Sequence, residues 1–107
     1  MGIRFMRVFV FFDLPMECTK ERHEYSLFRR FLLKEGFIME QKSVYTRLVA
    51  NANVGKRLID TIIENKPDSK GYIQILTVTE TQYQKMEIIG CGSEKTTIDT
   101  LEDVIII

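Results

Sequence analysis

Asp13 has the chemistry of a metal ligand and ends a long run of strand-forming residues. Residues 4–12 are rich in Val and Phe, which favour extended backbone, and Pro15 cannot continue a sheet ladder. We therefore expect Asp13 at the carboxyl end of a strand. If a second copy packs against this strand across a two-fold axis, two Asp13 carboxylates approach each other and can bind Mg²⁺. The alternative, a strand-end aspartate that begins a turn, stays open.

A second group of side chains could contact phosphates. Six basic residues in the first half of the chain are candidates for nucleic-acid binding, namely Arg22, Arg29, Arg30, Lys34, Lys42 and Arg47. The whole chain carries fifteen Lys and Arg against fifteen Asp and Glu, which is not the basic composition typical of nucleic-acid-binding domains. The basic residues are concentrated in the first half, so a local basic surface and an ordinary solvated helix face both stay open.

The cysteines and the histidine argue against zinc and thiol chemistry. Cys18 and Cys91 are far apart in the sequence, and His23 is the single histidine. This pattern is not that of a zinc site or of a Cys/His nucleophile pair.

Length and hydropathy bound the class of protein. At 107 residues the chain has the size of one domain. Its apolar runs, roughly eight residues long, are too short to cross a bilayer. Arg4 and Arg7 interrupt the first of them, unlike a signal peptide. We expect a soluble cytoplasmic protein with no membrane partner.

The elements that must position Asp13 follow from periodicity. Alternation places Met6, Val8, Val10 and Phe12 on one strand face, and Phe5, Arg7, Phe9, Phe11 and Asp13 on the other. Apolar residues at helical spacing predict a helix over residues 20–35, with Thr19 as N-cap. Residues 37–48 predict extended backbone with polar residues at its centre, either one bent strand or two short ones.

The second half continues the same pattern. A helix is predicted over residues 54–64, capped by Asn51 or Asn53. A strand is predicted over residues 72–79, then a turn or short helix over 80–84 and a short strand over 85–90. The four terminal aliphatic residues, 104–107, predict a further strand at a sheet edge.

This order predicts an α+β protein, a ferredoxin-like βαββαβ sandwich with extra carboxyl-terminal strands. Residues 1–90 form the ferredoxin-like domain, and residues 91–107 form a linker and a strand that completes a sheet edge. Both helices must cover one sheet face. The apolar character of the other face, the side of Phe9 and Phe11, predicts a homodimer packed through it.

Three motifs in order resemble a known family. Residues 11–15 resemble its opening strand, which ends in an aromatic residue and Asp. Residues 29–32 with Gly36 resemble its first helix and glycine stop, and residues 41–45 its Gln-x-Ser-Val-aromatic motif. The family is that of the small CRISPR-associated adaptation nucleases, and the residues around the third motif and over 76–83 are most similar to members from type II-A systems.

The resemblance implies a fold, a metal and a biological role. The family's ferredoxin-like homodimers bind Mg²⁺ between two copies of the strand-end aspartate, and some members cleave RNA or double-stranded DNA. Their main role is in spacer acquisition during antiviral defense. There the dimer bridges two dimers of the CRISPR integrase, and the assembly inserts a short DNA duplex, the prespacer, into the CRISPR array.

Residue by residue, Asp13 alone matches the family's catalytic and metal-binding position. Gln41, Ser43 and Val44 match a motif that we interpret as structural. Phe12 stands where many members carry Tyr, so a hydroxyl is missing there. The nearest acidic residue in sequence is Glu17, which also reads as a solvated loop charge, and no general base is evident.

The sequence is therefore consistent with three functions. The first is a Mg²⁺-dependent endonuclease that uses Asp13 from each subunit. The second, which we expect to be the physiological one, is a DNA-bridging dimer in the spacer-integration complex. The third is a stand-alone, toxin-like Mg²⁺-dependent ribonuclease.

Overall fold

The computed structural model describes residues 4–92, which form four strands and three helices. In chain order they are β1 (Met6–Asp13), α1 (Thr19–Lys34), β2 (Ile38–Gln41), β3 (Val44–Val49), α2 (Ala52–Glu64), β4 (Tyr72–Thr79) and α3 (Glu80–Gln84). The predicted strand over residues 104–107 and nearly all of the predicted linker lie outside the described residues.

Strand β1 occupies the interior of the sheet, whose order is β2-β3-β1-β4. It pairs antiparallel with β3 from Met6↔Val49 to Phe11↔Val44. On its other edge it pairs antiparallel with β4 from Met6↔Thr79 to Asp13↔Tyr72. The predicted α+β class is confirmed, and the element order and sheet order are compatible with a ferredoxin-like fold.

The core lies between one sheet face and the two long helices. Val8, Val10 and Phe12 of β1 belong to the same buried cluster as side chains from both helices, including Tyr25, Phe28 and Leu32 of α1 and Leu58 and Ile62 of α2. The predicted alternation of β1 is thus confirmed, and α1 and α2 cover the same face. We call the opposite face, which carries Arg7, Phe9, Phe11 and Asp13 on β1, the open face.

The start of α1 differs from the prediction. Cys18, not Thr19, is the N-cap, and Thr19 is already helical. The Glu21 carboxylate accepts hydrogen bonds from the amides of Glu17, at 2.9 Å, and Cys18, at 3.3 Å. An acidic side chain that reaches back to free amides stabilises a helix start without a Ser or Thr cap.

Residues 37–48 form two strands, which confirms the second of the two predicted alternatives. β2 and β3 make a hairpin, and its register shifts between Met39 and Gln41. Helix α2 begins after Asn51, which is one of the two predicted N-caps. The Asn51 side chain accepts a hydrogen bond from the Val54 amide at 2.9 Å.

The predicted strand over residues 85–90 is wrong. The amides of Lys85 and Met86 donate to carbonyls of the preceding helical turn, those of Gln82 and Tyr83, and residues 86–90 carry no regular structure. Met86, Ile88 and Ile89 are between 43% and 60% exposed. β-Branched and apolar composition favours a strand only where a neighbouring strand offers a free edge, and this segment pairs with none of the described strands.

Candidate functional site

Asp13 is the last residue of β1, and its side chain is exposed on the open face. The next residue, Leu14, is 8% exposed and belongs to the core. The backbone partner of Asp13 across the sheet is Tyr72, the first residue of β4. The sequence prediction that Asp13 lies at the carboxyl end of a strand is confirmed, and its carboxylate is accessible to a metal ion.

Gly71 fixes how β4 approaches this strand end. Its φ is +132°, a conformation that residues with a side chain rarely adopt. A methyl group at this position would collide with the backbone carbonyl oxygen of Asp13 and would lie 3.2 Å from the Cα atom of Leu14. A glycine is therefore required for the backbone of Asp13 to lie against the start of β4.

One protomer offers Asp13 without further acidic ligands. Among residues 4–92 there is no group of three or more His, Cys, Asp or Glu side chains able to hold a metal ion. The exposed Glu17 lies in the loop before α1, where its amide donates to Glu21. A hard cation takes six or more oxygen ligands, so Asp13 fits Mg²⁺ when a second carboxylate and water complete the set.

The open face exposes several large apolar side chains, with the exposed Gln74 between two of them on β4. Register pairs Leu48 with Arg7, Leu76 with Phe9 and Tyr72 with Asp13, so all of these share one face of the sheet. Leu48 is 44%, Leu76 52% and Tyr72 77% exposed. An apolar sheet face of this kind marks an interaction surface.

Helix α3 covers the part of the open face that lies away from Asp13. Arg7 makes two hydrogen bonds to the Glu80 carboxylate, at 2.9 and 2.8 Å. Its guanidinium also lies 4.0 Å from the centre of the Tyr83 ring, and that ring contacts Phe9 edge-on. The bidentate pair and the stacked ring fix the orientation of α3 on the sheet.

Glu40 of β2 joins this contact from the neighbouring strands. Its Oε2 atom accepts hydrogen bonds from the Tyr83 hydroxyl and from the Thr46 hydroxyl, the latter at 2.7 Å. Burial and the hydrogen bond to Glu40 raise the pKa of Tyr83. Sequence reasoning missed this network. The T-x-x-Q capping signal at Thr79 and Gln82, seen in the structure as two reciprocal hydrogen bonds, was the available sign of the helix.

The Arg7–Glu80 pair predicts a pH-dependent stability. Its hydrogen bonds hold the pKa of Glu80 below the ordinary value of 4.5, so the pair stabilises the fold above that pH and ceases to do so as pH falls through the lowered value. We expect E80Q to reduce the free energy of unfolding at pH 7 by about 1–2 kcal/mol. Denaturant unfolding between pH 3 and 7 should show this difference shrinking below pH 4.5, and an equal difference at both ends would contradict the assignment.

The six predicted nucleic-acid-binding residues do not form one cluster. Arg22 and Lys42 lie at the Asp13 end, since the Arg22 guanidinium donates to the Met16 carbonyl at 3.1 Å and Lys42 is in the β2–β3 turn beside the end of β1. Arg29, Arg30 and Lys34 are exposed along the rest of α1. Arg47 is half-buried and packs beside Gly36 at the carboxyl end of that helix.

Comparison with known proteins decides the family. The sequence model of the family described as CRISPR associated protein Cas2 matches residues 6–86. The chain belongs to the Cas2 family. A protein of Treponema denticola named CRISPR-associated endoribonuclease Cas2 is 48% identical over 102 residues, covering 95% of this chain and all of that protein. A Cas2 protein of the same name from Streptococcus mutans is 44% identical and covers 87% of this chain and 84% of its own length.

The match to the Cas2 family covers every described strand and helix from β1 to α3. A further relative of the same name, from Acidovorax ebreus, is 40% identical over 84 residues, or 78% of this chain and 81% of that protein. The family resemblance in the sequence is thus confirmed. None of the helices in residues 4–92 has the length and apolar character needed to cross a membrane.

Proposed function

We propose that this Cas2-family chain acts in the cytoplasm as a homodimer of CRISPR adaptation, with two functions in one body. The dimer bridges integrase subunits on prespacer DNA, and it has metal-dependent phosphodiesterase potential on RNA or double-stranded DNA. The observation that supports the proposal most strongly is the exposed apolar open face with Asp13 at its edge. Leu76 and Tyr72 are more than half exposed there. Membership of the Cas2 family supports the integrase, DNA and cleavage parts of the proposal.

The dimer supplies what one protomer lacks. Two open faces that pack across a two-fold axis use the same patch from both subunits, and an axis that passes beside the carboxyl end of β1 brings the two copies of Asp13 together. The two Asp13 carboxylates would then hold Mg²⁺. The ion, when bound, neutralises charge on the scissile phosphate and activates water. The chain's own part is to hold Asp13 at a fixed strand end and to exclude water from the apolar face beside it.

The bridging function uses the surface of the helical layer. Arg29, Arg30 and Lys34 lie on the side of the molecule opposite the open face, so dimerisation leaves them accessible. Lysine and arginine contacts to phosphate oxygens position a protein on a duplex without reading its sequence. Such contacts suit a protein that must accept prespacers of any sequence.

A stand-alone ribonuclease is the second candidate, and the names of the relatives support RNA as its substrate. Several relatives are called endoribonucleases, which makes RNA a substrate to be tested beside duplex DNA. This candidate shares Asp13 and the dimer with the first, and it differs in needing no integrase.

The test of the proposal measures association and cleavage on the full chain. Sedimentation across micromolar concentrations should show a dimer. Labelled single-stranded RNA and duplex DNA should be cut with Mg²⁺ and left intact with EDTA. A monomer at all concentrations would contradict the sheet-face argument. A dimer that cuts neither substrate would contradict the proposed phosphodiesterase activity and would leave the proposed bridging function standing.

Charge reversal on α1 tests the bridging surface. We expect the R29E/R30E double variant to bind duplex DNA more weakly and to lower the slope of log affinity against log salt by about two, because each lost phosphate contact removes about 0.9 from it. The measurement is fluorescence anisotropy between 50 and 300 mM salt, concentrations chosen to bracket the usual range. The matched control is K56E/R57E on α2, where both side chains are also exposed. Equal losses in both variants would assign the effect to net charge and return Arg29 and Arg30 to an ordinary solvated face.

A further inference from the structure

Phe12, the residue directly before Asp13, is enclosed by aromatic rings. Its ring centre lies 5.1 Å from that of Phe28, 5.4 Å from that of Tyr25 and 5.6 Å from that of Tyr45. Its side chain is 5% exposed. The carboxylate of Asp13 therefore extends from a backbone whose preceding side chain has almost no freedom to move.

The backbone of Phe12 is also tied to the β2–β3 turn. Its amide donates to the Ser43 carbonyl at 3.1 Å, beyond the last residue pair of the β1–β3 ladder. Hydrogen bonds also connect the β2–β3 turn to α1, because the Tyr25 hydroxyl donates to the Lys42 carbonyl at 3.3 Å and lies 2.9 Å from Ser43 Oγ. One hydroxyl group thus connects the helix, the turn and the strand end.

The two tyrosines on the Phe12 ring differ in their hydroxyl groups. The Tyr25 hydroxyl contacts both turn residues, whereas the buried Tyr45 hydroxyl has no hydrogen-bond partner among residues 4–92. Both rings pack on Phe12 at nearly the same centre-to-centre distance, although the Tyr25 ring is tilted and the Tyr45 ring is stacked. Tyr25 therefore stabilises the turn through its hydroxyl group, whereas Tyr45 contributes only its ring to the core.

We propose that Tyr25 is a positioning residue for Asp13. Through the turn at Lys42 and Ser43 it fixes the Phe12 backbone, and so the direction in which Asp13 presents its carboxylate to the metal. The inference rests on the proposed function, in which Asp13 binds Mg²⁺. It also gives a physical reason for the Ser in the Gln-x-Ser-Val-aromatic motif, whose hydroxyl is the contact of Tyr25 in the turn.

The test compares Y25F with Y45F in the full-length protein. Each variant removes one hydroxyl and keeps the ring that packs on Phe12. We expect Y25F to raise the Mg²⁺ concentration for half-maximal cleavage by about tenfold, the size of effect seen when a group that orients a metal ligand is lost. We expect Y45F to leave it unchanged. Loss of folded protein alone would lower the amount of cleavage and would leave the half-saturating Mg²⁺ concentration where it was.

A second measurement separates this inference from the proposed function. Amide hydrogen exchange, followed by NMR, reports the local opening of the Phe12 amide directly. We expect at least a threefold faster exchange in Y25F than in wild type, and wild-type exchange in Y45F. Wild-type exchange at Phe12 in Y25F would overturn the inference whether or not the protein cuts nucleic acid. Faster exchange with an unchanged Mg²⁺ dependence would also overturn it, and it would leave Tyr25 a purely structural residue. Absence of cleavage by the wild type would count against the proposed function, and a Mg²⁺ titration of the Asp13 resonances would then decide the metal part of the inference.

Discussion

The D13N variant is expected to lose Mg²⁺-dependent cleavage by at least about 1,000-fold. A metal ion contributes several kcal/mol to such a reaction, and each 1.36 kcal/mol corresponds to a factor of about ten in rate. Asn keeps the size and shape of the side chain and removes its charge, so the neutral amide oxygen that remains binds Mg²⁺ more weakly than a carboxylate does. Each two-fold site receives both of its carboxylates from this one position, so the single substitution removes both protein ligands of the metal.

The fold should tolerate the D13N substitution, so a loss of cleavage would report on the metal site and not on unfolding. Asp13 is exposed, and the salt bridge among residues 4–92 joins Arg7 to Glu80 and does not involve Asp13. Thermal unfolding and the dimer should match those of the wild type. The control is E17Q, which removes the nearest acidic charge in the sequence from an exposed loop. Equal cleavage by D13N and wild type would mean a contaminating nuclease or another site.

The L76K variant is expected to convert the dimer to monomers at micromolar concentration. Leu76 lies on β4 opposite Phe9, on the open face, and is 52% exposed in one protomer. In a single protomer a lysine at this position keeps its ammonium group in water. In the proposed dimer it would place two like charges without partners in a desolvated interface, at a cost of about 3 kcal/mol or more, which weakens association by about 100-fold.

The matched control for L76K is L33K. Leu33 is 40% exposed, but it lies on α1 in the helical layer. Sedimentation equilibrium should give monomers for L76K and the wild-type state for L33K, with unchanged circular dichroism for both. A dimer that persists in L76K would place the interface elsewhere on the molecule, and the pairing of Asp13 with its own copy would then lose its basis.

Sequence patterns predicted the sheet, the long helices and the place of Asp13, because each depends on local information. Alternation of Val8, Val10 and Phe12 with Phe9 and Phe11 assigned the two faces of β1, and helical spacing assigned the core residues of α1. The N-cap prediction failed at Thr19 because the Glu21 side chain reaches back to accept hydrogen bonds from the amides of Glu17 and Cys18, which places the helix start at Cys18. That choice depends on the conformation of one flexible side chain, which periodicity does not report.

The contacts of α3 could not be predicted in the same way. Arg7 and Glu80 are 73 residues apart, and Glu40 and Tyr83 are 43 apart. Such pairs form only once the sheet has brought β1, β2 and β4 together, so no local sequence pattern predicts them. The strand predicted after α3 failed for the related reason that a strand needs a neighbour. The aromatic enclosure of Phe12 and the hydroxyl contact of Tyr25 likewise depend on tertiary structure.

The position of β1 in the sheet has a consequence for synthesis of the protein. Strand β1 is synthesised before its neighbour β4, and the first and last pairs of their ladder join Met6 to Thr79 and Asp13 to Tyr72. One edge of the apolar strand therefore stays without its neighbour until some seventy more residues have been made, at about 5–20 residues per second in the cell. Pairing across such sequence distances also slows folding. We expect the nascent chain to become protease-resistant in a single late step, after β4 has emerged, and not element by element.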